Sequence, residues 1–181
     1  MKQEIEFNGD PAQLADLKID ADTVIFLAGN AQQARLMRPY LPKKVPIYAT
    51  SQLFASNTPT NFELNGIRFV DMPWLLQPDH PAVMIYPHAN PALSIDLERL
   101  YALGVDAYRL VQILLDQQQD SALPLEGVSG QIRLNGHQFQ RSALPATFAQ
   151  GKALPLDAAP SLPEPTFFPA QAINRPSIDH E

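Results

Sequence analysis

Three short apolar runs and one long amphipathic stretch organise the chain. Asp22-Thr23-Val24-Ile25-Phe26-Leu27-Ala28 is nearly continuous in apolar β-formers and is ended by Gly29-Asn30. Continuous rather than alternating apolarity predicts a strand buried on both faces of a parallel sheet. Asn30 predicts the cap of a helix through Ala31-Gln32-Gln33-Ala34-Arg35-Leu36-Met37, closed by Pro39 and Pro42. Val45 to Thr50 reads as a second strand, with Pro46 near its start. Residues 51–62 are polar and irregular. Ile67 to Met72 reads as a third strand. Asn65-Gly66 before it leaves two readings: a hairpin with Phe62 to Leu64, or a loop that enters a single strand.

The second half changes period. Pro81, Pro87 and Pro91 predict a loop with at most a short helix. From Ser94, a plausible N-cap, a helix is expected to about Gln118. Leu97, Leu100, Tyr101, Tyr108, Val111 and Leu115 form its apolar stripe. Gly104 lies on that stripe and predicts close approach of a neighbouring backbone. Gly127-Val128-Ser129-Gly130 is a turn. Gln131 to Leu134, Asn135-Gly136, then His137 to Arg141 alternate as a hairpin does. Residues 149–156 are read as one more short strand. Strands alternating with helices make this an α/β chain, a parallel-sheet lobe flanked by helices. The expected division is a lobe over 1–156 and a proline-rich, extended or disordered tail over 157–181, punctuated by Pro160, Pro163, Pro165, Pro169 and Pro176.

Composition narrows the function. Of 181 residues, 45% are hydrophobic and 18% charged, enough apolar material for a core. The net charge of −6 argues against a nucleic-acid partner, which needs a basic surface. The absence of cysteine excludes disulfides, thiolate metal sites and a cysteine nucleophile within these residues. Met1 to Phe7 has no apolar h-region, so this stretch read alone is not a signal peptide. No run approaches the roughly 18 apolar residues of a membrane span.

Candidate chemistry is sparse. His80 and His88 share the proline-rich loop, and no two histidines have the helical spacing of a metal site, so no metal or other cofactor is expected. Asp71, Asp79 and Asp106 could meet in space, but nothing local pairs them as acid and base. The Gly127–Gly130 turn resembles a phosphate loop yet precedes a strand, not a helix. Arg35, Arg38, Lys43 and Lys44 form a basic cluster, readable as a solvated helix face or as a docking patch for an acidic surface. Trp74, in Met72-Pro73-Trp74-Leu75-Leu76, follows a strand at the carboxyl end of the sheet, where it could pack internally or anchor a partner. Trp74, Arg35, Arg38, His80 and His88 are therefore the candidate contact residues. No catalytic residue is assigned, and the chain does not read as an enzyme.

Three segments taken in order resemble the C-terminal domain of the LpoA/LppC family of penicillin-binding-protein activators. They are Ala21 to Arg35 with Arg38-Pro39; Pro46 to Ser51 with Leu64 to Leu76; and Leu100 to Tyr108 with Leu125 to Ile132, Arg141 and Phe148 to Gly151. The resemblance spans roughly residues 11–156, and its third segment is similar to type 1 periplasmic binding proteins more widely. It implies part of a two-lobed fold, with most of the first lobe lacking. It also implies a non-enzymatic regulator that binds a bifunctional class A penicillin-binding protein (transglycosylase and transpeptidase) and activates peptidoglycan synthesis. Members of the family are lipoproteins of the outer membrane that face the periplasm; this sequence shows neither the leader nor the lipid-acceptor cysteine. The second reading is a periplasmic solute-binding or ligand-sensing protein, which would need convergent polar groups on the loops after Leu27, Thr50 and Met72.

Overall fold

A computed structural model describes residues 3–15, 17–20, 22–56, 59–115 and 123–156. Among these, the strands in chain order are β1 (Ile25–Leu27), β2 (Ile47–Ala49), β3 (Arg68–Asp71), β4 (Leu125–Glu126), β5 (Gln131–Asn135), β6 (Gln138–Ser142), β7 (Leu144–Ala149) and β8 (Lys152–Pro155). The α-helices are α1 (Ala31–Met37), α2 (Pro73–Leu76), α3 (Pro81–Met84) and α4 (Ile95–Leu115). Five strands form the main sheet in the order β1-β2-β3-β7-β8. The first three are parallel; β7 and β8 continue the sheet antiparallel. A second sheet, β4-β5-β6, is antiparallel. The tail over 157–181 and the expected end of the long helix at 116–118 lie outside the described residues.

Helix α1 begins where expected because Asn30 and Gln33 close a capping box. Asn30 Oδ1 accepts from Gln33 N at 2.9 Å, and Gln33 Oε1 accepts from Asn30 N at 3.0 Å. Two orphan donors are thus satisfied at once. The helix lays Ala31, Ala34 and Met37 on one face of the sheet, over Leu27, Ile47, Ala49 and Phe69. Phe54, Phe69 and Phe148 meet there, with Phe69 and Phe148 stacked at 4.9 Å between ring centroids.

Among the described residues nothing covers the other face of the three parallel strands, which corrects the expectation of burial on both faces. Phe26 is 65% exposed, and Val24, Tyr48 and Val70 are also exposed. Among the described residues the main core lies on the α1 side alone, so β1 to β3 alternate in burial despite the continuous apolarity of β1. Arg68 reaches across this outer face, donating to the Tyr48 hydroxyl at 2.8 Å with its guanidinium 5.5 Å from the ring centroid.

The hairpin of β5 and β6 forms as predicted, one residue later. Asn135 pairs with Gln138, so Gly136 and His137 make the turn, with Gly136 at φ +59°. The alternative readings at Asn65-Gly66 resolve to a loop: Pro59–Leu64 is a 3-10 helix, and β3 has no hairpin partner there. The expected short strand over 149–156 is present as β8, and its partner β7, unforeseen, lies between β3 and β8 in the sheet.

Candidate functional site

Helix α4 crosses the carboxyl ends of β2 and β3, where open parallel sheets hold ligands. The side chains it sends there are charged. Arg99 Nη2 donates to Asp71 Oδ2 at 2.7 Å and to the carbonyls of Ser51 and Phe54, each at 2.8 Å. Its Nε donates to Asp71 Oδ1 at 3.2 Å, and its Nη1 to Asp96 Oδ1 at 2.8 Å. Asp71, the last residue of β3, is 2% exposed. Burial alone would lower the Arg99 pKa; the hydrogen bond and charge of Asp71, then those of Asp96, outweigh it and hold the guanidinium above its ordinary value. Among the described residues, of the loops after Leu27, Thr50 and Met72, only the one after Thr50 supplies polar groups here, and with Asp71 at the end of β3 it meets a side chain of the protein itself. The crevice is plugged by a satisfied ion pair.

A second cluster adjoins it. Trp74 Nε1 donates to Glu98 Oε2 at 2.6 Å, the His88 ring tilts against the indole at 4.2 Å, and Tyr101 lies 5.3 Å away. His88 Nδ1 is 4.0 Å from Glu98 Oε2. These contacts pin the proline-rich loop to α4, helped by the Tyr101 hydroxyl, which donates to the Pro87 carbonyl at 3.2 Å. Met72, Val83, Ala102 and Val128 complete this second apolar core. Replacing Trp74 by Phe keeps an aromatic ring but removes the donor and part of the buried volume, leaving Glu98 buried without its partner. The expected loss is about 1.5–3 kcal/mol, the usual worth of a hydrogen bond to a charged group, read as a lower urea midpoint by circular dichroism.

The third polar contact is at the Gly127–Gly130 turn. Asp106 Oδ1 accepts from Val128 N at 3.1 Å and Oδ2 from Ser129 N at 2.7 Å. Arg109 Nη1 donates both to Asp106 Oδ1, at 3.3 Å, and to the Glu126 carbonyl, at 3.0 Å. The backbone donors that made this turn resemble a phosphate loop thus face a carboxylate of the same chain.

The five candidate contact residues do not form one surface. Trp74 is 2% exposed and its indole is used internally, which is the packing alternative of its two readings and takes it out of the candidate contact surface. Arg35 is partly buried and donates to Asn61 Oδ1 at 2.9 Å, and Arg38 to the Leu41 carbonyl at 3.3 Å. The basic cluster is thereby split: its arginines turn to their own neighbours, and Lys43 and Lys44 stay exposed. His80 caps α3, its Nδ1 accepting from Ala82 N at 3.2 Å. Of the five, His88 alone combines an exposed edge with the Trp74 cluster. Asp71, Asp79 and Asp106 do not share a site: Asp71 and Asp106 hold separate partners and Asp79 is exposed. Among the described residues no group of three or more His, Cys, Asp or Glu could hold a metal ion. No helix there is long and apolar enough to cross a membrane. Glu98 and Arg99 were not foreseen as site residues, and Asp106 was weighed only as a carboxylate that could meet Asp71 and Asp79.

Comparison with known proteins decides the family. The family described as "LppC putative lipoprotein" matches residues 12–151. This chain belongs to the LppC family. Relatives named penicillin-binding protein activator LpoA include one from Aliivibrio fischeri, 28% identical over 138 residues, covering 72% of this chain and 22% of the relative. One from Haemophilus influenzae is 30% identical over 115 residues, covering 60% and 20%. The chain thus spans about a fifth of the length of the curated relatives it matches. Among solved structures, the C-domain of Haemophilus influenzae LpoA, named a regulator of PBP1A, is 21% identical with a TM-score of 0.64 over 84% of this chain and 51% of that one. A Chromobacterium violaceum protein named a "putative branched-chain amino acid ABC transporter" is 40% identical, with a TM-score of 0.60 over 69% of this chain and 42% of that one. The α/β, parallel-rich sheet is thus the fold of this LppC member and of the binding-protein-like structures beside it.

Proposed function

We propose that this LppC-family chain is a non-catalytic regulator that binds a bifunctional class A penicillin-binding protein and raises its peptidoglycan synthesis. The observation that carries the reading is the family match over residues 12–151, with relatives across those residues named as activators. The site supports it from the other side. Arg99, Glu98 and Asp106 are each held by neighbours in the same chain, which gives each a structural role. Activation would then follow from binding the active state of the synthase better than the inactive one. Under this reading the working compartment is the periplasm, at the outer membrane.

The similarity to the Chromobacterium violaceum protein favours a second reading, a solute-binding protein for a branched-chain amino acid. The Arg99–Asp71 pair weighs against it, since it occupies the crevice a solute would use. One experiment separates the two. The chain is titrated against the periplasmic portion of a class A penicillin-binding protein with glycan synthesis followed in parallel, and against leucine, isoleucine and valine by calorimetry. The expected result is saturable binding with stimulated synthesis and no heat from the amino acids. Amino-acid binding without an effect on the synthase would replace the regulator with a receptor.

A further inference from the structure

The Gly127–Gly130 turn is no phosphate loop, since β5 and not a helix follows it, yet it has the parts of an anion receptor. It joins β4 to β5, and Val128 and Ser129 within it are fully buried. Two successive amides, Val128 N and Ser129 N, point at one carboxylate, that of Asp106, at 3.1 and 2.7 Å from its two oxygens. Successive backbone donors aimed at one place make a nest for a negative group. Arg109 Nη1 adds a positive charge at 3.3 Å from Asp106 Oδ1. The Ser129 hydroxyl is buried without a hydrogen-bond partner among the described residues, a spare donor on the same turn.

The receptor is shaped around its occupant. Gly127 leaves free the place that the carboxylate fills, since a Cβ there would press on Asp106 Oδ2. Gly130, at φ +141°, takes a conformation that side chains rarely adopt, and a Cβ on it would press on the Ser142 carbonyl. The frame of the turn does not rest on Asp106 alone. Gly127 and Gly130 exchange backbone hydrogen bonds at 3.1 and 3.3 Å, Trp74 N donates to the Val128 carbonyl at 2.9 Å, and Arg141 Nη1 to the Ser129 carbonyl at 2.8 Å. The accepting carbonyls of Gly127 and Val128 belong to the same peptide units whose N–H groups face the carboxylate. Their hydrogen bonds therefore polarise those two donors toward it.

We propose that this turn is a carboxylate-binding site with Asp106 as its tethered ligand, and that it binds a free small monocarboxylate when that ligand is removed. Asp106 is 2% exposed, so the site is enclosed between α4 and the turn. Asp106→Ala deletes the carboxylate and keeps the Cβ, and the space and donors it leaves match formate in size and charge. The tether holds the native carboxylate at high effective concentration, so added formate should leave the native chain unchanged. The inference goes beyond the regulator reading and does not rest on it: it makes the joint between α4 and the second sheet an ion-binding equilibrium.

The test is urea unfolding of the full chain, followed by circular dichroism, in sodium formate, acetate or chloride at equal concentration, which holds ionic strength constant. Alanine is a better helix former than aspartate, so the helix itself is not weakened by Asp106→Ala. At about 0.3 M formate the folding equilibrium constant of this variant should rise at least about fivefold over chloride, as binding to the folded state alone requires. Acetate should do less, because its methyl would fall where the alanine methyl stands. Asp106→Asn keeps the space filled and, like the native chain, should change less than about twofold. If Asp106→Ala is unfolded in chloride, formate should restore the native spectrum. A variant that formate neither refolds nor stabilises overturns the proposal. So does a gain that acetate matches, or one that Asp106→Asn and the native chain share, since either is an effect of salt and not of a site.

Discussion

Replacing Arg99 by methionine should cost about 3–5 kcal/mol, a large part of the 5–15 kcal/mol that holds a domain of this size folded. Methionine keeps much of the side chain's length, so the loss isolates the guanidinium. What remains is Asp71, 2% exposed, with its charge uncompensated, and the carbonyls of Ser51 and Phe54 without their donor. The cost is that of stranding a buried charge and exceeds the net worth of the pair. A second substitution separates the two quantities. Asp71→Asn in the Arg99→Met background keeps an Oδ1 acceptor for the Met72 amide, now held at 2.9 Å, and removes the charge. The double variant should regain about half of what the single one loses. Urea unfolding reads both, with emission from Trp74, the only tryptophan in the chain, as the probe. A loss below about 1 kcal/mol for Arg99→Met would mean that water compensates Asp71, and that the crevice is open to solvent after all.

That pair also shows where sequence reading stopped. The strands β1 to β3 and helix α1 were legible because their signals are local: apolar runs bounded by turn residues, and an Asn30 cap with Gln33 three residues on. The family resemblance was legible too, since it rests on residues in order, and the match over 12–151 falls within the span read from them. Strand β7 was missed because Pro145 and Ala146 weaken its strand signal. Its place depends on pairing with β3, some seventy residues away, through Arg68 with Thr147 to Asp71 with Leu144. The charged face of α4 was hidden by a rule that usually holds. An apolar stripe is taken as the buried side of a helix, so Leu97, Leu100, Tyr108, Val111 and Leu115 drew attention, while Glu98 and Arg99 drew none and Asp106 was read only as a scattered carboxylate. In this helix the two faces are exchanged, and Gly104 has open space beside it among the described residues. Trp74 was placed on the right segment with its exposure unresolved, because whether an indole faces in or out depends on Glu98, a residue 24 positions away.

The same exchange of faces makes the turn after α4 depend on one carboxylate, and Asp106→Ala should cost on the order of 3 kcal/mol. Val128 and Ser129 are fully buried, so their amide donors have no recourse to water once Asp106 is gone. Each unsatisfied buried donor costs about 1–3 kcal/mol. Gly127→Ala should be damaging for a different reason. A Cβ at residue 127 would press on Asp106 Oδ2 and would lie 2.6 Å from the Gly130 carbonyl oxygen. The two effects are coupled through Asp106, so the pair of substitutions should cost less than the sum of the singles. It should not become harmless, because the Gly130 carbonyl, which bonds the Gly127 amide at 3.1 Å, stays in place. Urea midpoints of the two single variants and the double variant give the coupling directly. Strict additivity would show that the carboxylate and the glycine act independently, and that the turn is held by its own backbone bonds. A coupling of about 1 kcal/mol or more would show that Asp106 fixes the turn. With the Arg141 donor on the Ser129 carbonyl at 2.8 Å, the turn would then anchor the second sheet to α4, and any partner that moved the helix would move that sheet with it.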